Sequence, residues 1–72
     1  MERAEAIALL KQILALNLAL PSMVALNQNK KGAYDLVLRG DCDIQPIKEF
    51  AAEQNLAVKW DKEKSTCIIY KP

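Results

Sequence analysis

The side chains that could do redox or metal chemistry in this 72-residue chain are two thiols, Cys42 and Cys67. Beside the carboxylates of Asp41 and Asp43, a thiol pair could bind a metal ion or take part in disulfide exchange. The chain has no histidine and no Cys-x-x-Cys spacing, and two sulfurs with aspartate are an unusual ligand set for zinc. A thiol or metal site at Cys42 and Cys67 is therefore our third hypothesis. The simpler interpretation is that the aspartates cap a helix and Cys67 packs in a strand.

Groups suited to acid–base or phosphate chemistry are scarce in the sequence. Histidine, which ordinarily titrates near neutral pH, is absent. Gly32 and Gly40 are the only glycines, so the sequence contains no glycine-rich phosphate loop. Glu49 and Glu53 lie one helical turn apart, but such a pair is ordinarily a solvated helix face. The sequence therefore predicts no catalytic residues, no cofactor, no metal and no enzyme activity by this chain alone.

The composition predicts one small folded domain over residues 1–72. Hydrophobic residues make up 51% of the chain, which is enough for a core. The formal net charge of +1 provides no field that would recruit nucleic acid or acidic lipid. The only long apolar stretch is interrupted by Lys11, Asn17 and Pro21, so it is too short to span a membrane. The start of the sequence does not resemble a secretion signal, and we expect a cytoplasmic protein with reduced thiols.

The pattern of the first half predicts a helix followed by a hairpin. Residues 2–20 are rich in helix-forming residues. The stripe expected to face the core contains Ile7, Leu10, Leu14 and Leu18. Residues 22–26 and 34–39 predict two strands, and residues 27–32 predict the turn between them. The alternative is a helix that continues through residues 22–29.

The second half predicts the same order of elements. Pro46 is acceptable only in the first turn of a helix, so the second helix is expected to begin near residue 44. Asn55 is expected to end this helix in a left-handed conformation. The strands that follow are expected at residues 56–61 and 65–71, with a turn at 61–64. The last strand is apolar on both faces, which is typical of a central strand.

These elements predict an α+β fold, a two-layer sandwich in the order α-β-β-α-β-β. The second and third strands are joined by a single helix and should run parallel, so an antiparallel sheet requires the fourth strand between them. The predicted strand order is therefore 1-2-4-3, in a mostly antiparallel four-stranded sheet with both helices on one face. This order of elements resembles a circularly permuted ferredoxin-like sandwich and the α-β-β folds that include bacterial KH domains. The resemblance implies a fold and no particular function.

The apolar surface exceeds what a two-layer domain needs to fill its core. A second leucine-rich stripe lies beside the first on the N-terminal helix, and the outward face of the sheet is expected to carry further apolar residues. The predicted interface residues are Leu9, Ile13, Leu16, Leu20, Val37, Ala57 and Ile69. We therefore predict a non-catalytic interaction domain that self-associates or docks onto a protein partner. The alternative is that residues 21–32 fold back and cover the helix stripe.

A weak, shape-reading single-stranded RNA-binding domain is the second hypothesis. A sheet face that combines aromatic and basic residues can stack on RNA and neutralise it. The candidate nucleic-acid residues are Lys30, Lys31, Arg39, Lys59, Lys62 and Lys64. Tyr34 and Trp60, however, share the phase of the inward leucines, and the Gly-x-x-Gly loop of KH domains is missing. We therefore expect a protein partner rather than nucleic acid, and we infer no small-molecule ligand.

Overall fold

Two helices and four strands form within residues 1–40 and 44–72, which are the residues that the computed structural model of the chain describes. In chain order they are α1 (Arg3–Ala15), β1 (Val24–Gln28), β2 (Tyr34–Arg39), α2 (Ile44–Glu53), β3 (Ala57–Asp61) and β4 (Thr66–Tyr70). A short 3-10 helix at Pro21–Met23 leads into β1. Within this described part of the chain, no helix has the length and apolar character needed to cross a membrane.

The four strands form one antiparallel sheet in the order β1-β2-β4-β3. This confirms the predicted α+β class, the strand order and the central position of β4. Leu36 and Leu38 of β2 lie opposite Ile69 and Cys67 of β4, and all four side chains are buried. Because directly opposite residues share a face, these four residues define an inner face of the sheet. The other face is called the outer face.

One hydrophobic core contains side chains from both helices and from the inner face of the sheet. Its buried members are Met1, Ala6, Leu9, Ile13, Leu36, Leu38, Ile47, Phe50, Ala51, Cys67 and Ile69. α1 packs against β1 and β2, whereas α2 packs against β3. The two halves of the chain therefore share a single core, as expected for a domain of this size.

The stripe of α1 that faces the core is the one expected to be available to a partner. Leu9 and Ile13 are only 6% and 0% exposed, and Ala6 completes the buried stripe. The residues expected in the core are half-buried: Ile7, Leu10, Leu14 and Leu18. The prediction that Leu9 and Ile13 belong to an exposed interface is therefore wrong. Both stripes are leucine-rich and lie side by side, so apolar spacing alone does not decide which one meets the sheet.

α1 ends earlier than predicted because Asn17 adopts a left-handed conformation, with φ of 56°. The Leu18 N–H donates a hydrogen bond to the Ile13 carbonyl at 3.0 Å. The Asn17 N–H donates to the Leu14 carbonyl at 3.1 Å. These two bonds form a Schellman motif, which ends a helix at a residue that tolerates positive φ. Asparagine tolerates this conformation better than most residues, so Asn17 was the residue from which the earlier end of α1 could have been predicted.

α2 ends in the same way as α1. Asn55 has a φ of 59°, and the Leu56 N–H donates to the Ala51 carbonyl at 2.8 Å. This confirms the left-handed conformation predicted for Asn55. The helix also begins at the predicted position. Asp41 and Asp43, which were expected to cap it, lie outside the described residues.

β1 begins later than predicted because Pro21–Met23 forms a 3-10 turn. The alternative of a helix through residues 22–29 is wrong. The β1–β2 turn is closed by Asn29, whose side-chain Oδ1 accepts hydrogen bonds from the Lys31 and Ala33 N–H groups at 2.9 and 3.1 Å. β2 has the predicted bounds, and β3 and β4 lie within their predicted ranges.

The left-handed residue at the end of α1 gives a prediction about stability. Asn17→Ala removes the side chain best suited to this conformation after glycine, and we expect the free energy of unfolding to fall by about 1 kcal/mol. Asn17→Gly is the matched control, because glycine adopts positive φ without steric cost. Urea denaturation followed by circular dichroism measures both variants. Equal losses for Ala and Gly would contradict the conformational explanation.

Candidate functional site

The outer face of the sheet has a narrow apolar centre. Val37 and Ile68 lie opposite each other on the two central strands, and both side chains are half-buried. Ala25 lies opposite Val37 on β1, and Lys59 lies opposite Ile68 on β3. The apolar residues expected on the outward face thus form a row across three strands, with Ile68 in place of Ile69, and the row ends at Lys59. Ala57, which was also assigned to it, is a half-buried residue at the start of β3.

Ile69 lies on the inner face and is fully buried, so its assignment to the interface is wrong. Its position opposite Leu36 places it in the core. Ile68 is the outer-face residue that sequence reasoning missed. β4 is apolar at every position from Cys67 to Tyr70, and a strand without polar alternation carries no signal that distinguishes its faces. Only the pairing with β2 supplies that information.

The segment that follows α1 exposes two large apolar side chains. Leu16 and Leu20 are 59% and 63% exposed, and both were predicted interface residues. Between them, Leu18 and Ala19 are half-buried and pack against the core. Residues 21–32 do not cover the two leucines, contrary to the alternative considered from the sequence. The segment is therefore anchored to the domain while it presents Leu16 and Leu20 to solvent.

Trp60 is a third exposed large side chain, at 45%. It pairs with Cys67 and so belongs to the inner face, as expected from its phase. Its exposure was not expected, and it arises because β3 is an outer strand of the sheet, where the core ends. Tyr34 has the same phase and packs against the core as predicted.

Two open grooves lie on the outer face. The first, with a volume of about 430 Å³, surrounds Val37 and Ile68 and is rimmed by Arg39, Asp61 and Lys64. Because this rim contains charges of both signs, it favours no ligand of a single charge. The second groove has a volume of about 620 Å³ and is mostly basic.

The basic groove, called the lysine groove below, combines ammonium groups with one aromatic ring. Its charged and aromatic lining residues are Lys30, Lys31, Asp35, Lys59, Tyr70 and Lys71. Tyr70 is half-buried on the outer face, so part of its ring is accessible among the lysines. The groove therefore offers both stacking and charge neutralisation to an anionic ligand.

The structure does not bring the six predicted nucleic-acid residues into one site. Lys30 and Lys31 lie in the β1–β2 turn, whereas Lys62 and Lys64 lie in the β3–β4 turn at the opposite end of the sheet. Arg39 lies at that second end, in the rim of the first groove. The lysine groove therefore contains three of the six residues, and it adds Lys71 and Tyr70, which were not among the six.

Cys67 is buried in the core at 1% exposed. Cys42, its partner in the thiol or metal hypothesis, lies outside the described residues, so that hypothesis stays a prediction. Among residues 1–40 and 44–72, no three side chains of the types Cys, His, Asp and Glu are placed to share a metal ion. A buried thiol that takes no part in metal binding or redox chemistry behaves as a small hydrophobic side chain.

Comparisons with known proteins assign no family to the chain. No protein-family model, no curated protein and no solved structure matches it. The surfaces that bear on function are the exposed leucines after α1, the lysine groove and the edges of the sheet.

Two neighbouring isoleucines on opposite faces of β4 give a matched pair of variants. Ile69→Ala removes a fully buried side chain and should lower the free energy of unfolding by about 3 kcal/mol. Ile68→Ala, on the half-buried outer face, should lower it by only about 1 kcal/mol. Urea denaturation of both variants measures the difference. If the two losses are the same, the two faces of β4 are misassigned.

Proposed function

We propose that this chain is a non-catalytic, cytoplasmic protein-interaction domain that self-associates, or docks onto another protein, through the segment after α1. The observation that carries this proposal is the exposure of Leu16 and Leu20, at 59% and 63%, in a segment that Leu18 and Ala19 hold against the core. Single exposed leucines are common on protein surfaces. Two on one anchored segment present apolar area in a fixed position, which favours a binding surface.

Leu16 and Leu20, called the leucine pair below, supply only part of the free energy that association needs. Burying the exposed fraction of both side chains contributes about 2–4 kcal/mol. Forming a complex costs at least about 4 kcal/mol in lost translational and rotational freedom. The interface must therefore include surface next to the leucine pair. Along the chain, the 3-10 helix at Pro21–Met23 follows and leads into β1, at one edge of the sheet.

The outer face of the sheet is the weaker candidate for a protein interface. Val37 and Ala57 are half-buried and expose less apolar area than the leucine pair. The groove around Val37 is rimmed by Arg39, Asp61 and Lys64, and charged residues are depleted at the centres of protein interfaces. Val37 and Ala57 on the outer face are therefore proposed only as a secondary interface.

Removing the apolar area of the leucine pair tests the proposal. In the double variant Leu16→Gln with Leu20→Gln, the core is unchanged, so the helical content should be preserved. The dissociation constant for self-association should rise by roughly tenfold or more, because apolar burial is lost. Sedimentation velocity over a wide range of protein concentrations measures this constant.

The matched control places glutamine at two exposed positions of α1, as Ala4→Gln with Ala8→Gln. This control should associate like the wild type. A wild-type chain that stays monomeric at its highest soluble concentration would contradict self-association. Unchanged association of the leucine variant would contradict the role of the leucine pair.

The lysine groove supports a second candidate function, the binding of single-stranded nucleic acid. Four lysines surround Tyr70, together with the carboxylate of Asp35. Stacking of a base on a tyrosine ring and neutralisation of phosphates by lysine allow binding without sequence readout. The net charge of +1 is small, so this binding is expected to be weak and strongly dependent on salt.

Two double variants, each of which removes two positive charges, test this second function. Lys31→Gln with Lys59→Gln removes two positive charges from the lysine groove, and Lys62→Gln with Lys64→Gln removes two from the opposite end of the sheet. Fluorescence anisotropy with a labelled single-stranded RNA of mixed sequence, measured at several salt concentrations, reports binding. The groove variant should lose affinity and reduce the slope of log affinity against log salt by roughly 1.4. No binding at low salt, or equal losses for both pairs, would exclude the groove.

A further inference from the structure

β1 is an edge strand without the charged residues, proline or bulge by which proteins often protect an edge. Its residues, Val24–Gln28, include no charged residue and no proline. They pair one to one with β2, so no bulge twists the strand away. The other outer strand, β3, carries Lys59 and Asp61. Charges of this kind, lysine above all, hinder the pairing of one edge with another.

Alternate residues of β1 direct their backbone N–H and C=O groups toward the open edge. The Asn29 N–H donates to the Ala33 carbonyl at 2.8 Å, so the backbone N–H of residue 29 points toward the β2 side at the end of the ladder. Hydrogen-bonded and non-hydrogen-bonded pairs alternate along an antiparallel ladder. The odd-numbered residues of β1 therefore bond to β2, and the even-numbered residues face the edge. The edge-facing residues are Val24, Leu26 and Gln28.

Two of these residues carry apolar inner-face side chains that the sheet covers incompletely. Val24 lies opposite Leu38, and Leu26 lies opposite Leu36. Leu36 and Leu38 are 0% and 1% exposed, whereas Val24 and Leu26 are only half-buried. The core thus thins at β1, where one more strand would complete the burial of Val24 and Leu26.

We infer that β1 pairs antiparallel with β1 of a second copy of this chain, which joins two four-stranded sheets into one about a twofold axis. The inference rests on the self-association proposed above and names its surface. With Leu26 opposite Leu26 of the second copy, all five residues of the strand overlap, and the edge-facing groups form about six backbone hydrogen bonds. The leucine pair precedes β1 in the chain, separated from it by the 3-10 helix at Pro21–Met23.

Charge and register favour a second copy paired through β1. If β3 paired with β3 at full overlap, Lys59 would lie opposite Lys59 of the second copy, and like charges directly opposite are destabilising. The β1 pairing brings no charges together, because Ala25 lies opposite Asn27 of the second copy. The antiparallel arrangement also places the two Lys30–Lys31 turns at opposite ends of the shared ladder, which limits their repulsion.

Lysines at the exposed outer-face positions of β1 test the pairing. Ala25→Lys with Asn27→Lys puts lysine opposite lysine on both sides of the twofold axis, although both positions are exposed in the single chain. The matched control is Ala52→Lys with Gln54→Lys, which adds the same charge at exposed positions near the end of α2. Sedimentation velocity measures the dissociation constant of the dimer, and circular dichroism verifies the fold.

We expect the wild type and the control to form the same dimer, and the edge variant to raise the dissociation constant by about tenfold or more. A second variant, Gln28→Pro, removes one edge-facing N–H that the β1–β2 ladder does not use. It should weaken the dimer although it adds no charge. If the wild type dimerises and both edge variants dimerise equally well, the edge pairing is wrong and self-association stands. If the wild type stays monomeric at every concentration, the edge pairing and self-association are both wrong, and only docking onto another protein is left of the proposed function.

Discussion

The pairing of β2 with β4 is the interaction on which the rest of this structure depends. Each half of the chain supplies a helix and a hairpin, and the strand order joins the two hairpins along these central strands. Leu36 opposite Ile69 and Leu38 opposite Cys67 set the register and supply buried side chains to a core that both helices share. Because a shift of one residue exchanges the two faces of a strand, this register decides the surroundings of every side chain in the sheet.

The same register decides which apolar residues are left for a partner. Leu9, Ile13 and Ile69 are used inside the domain, although they looked available from their spacing alone. The remaining apolar area lies at the periphery, after α1 and along the outer strands. A domain of this size buries only part of its surface, and here the apolar side chains of the outer strands, Val24, Leu26 and Trp60, are covered incompletely. Interaction surfaces are therefore more plausible at the edges than at the middle of α1.

The fold class and strand order could be predicted because they follow from element patterns and from the rule for helical crossovers. The side-chain detail could not, and the reason differs from residue to residue. Two adjacent leucine-rich stripes made Ile13 ambiguous, and an apolar strand without alternation made Ile69 ambiguous. The early end of α1 was readable, since Asn17 acts as Asn55 does. The lysine groove could not be predicted, because it depends on how the β1–β2 turn, β3 and the end of β4 come together.

The two hairpins are local in sequence, but the contact between β2 and β4 is not. Short turns at residues 29–33 and 62–65 close the hairpins, whereas Leu36 and Ile69 are far apart along the chain. Loop-closure entropy delays contacts between distant segments, so the meeting of β2 and β4 is expected to limit the folding rate. Until it occurs, each hairpin exposes a strand that can pair with the other hairpin of a neighbouring chain. At high protein concentration, the pairing of β2 with β4 of the same chain therefore competes with domain swapping between copies.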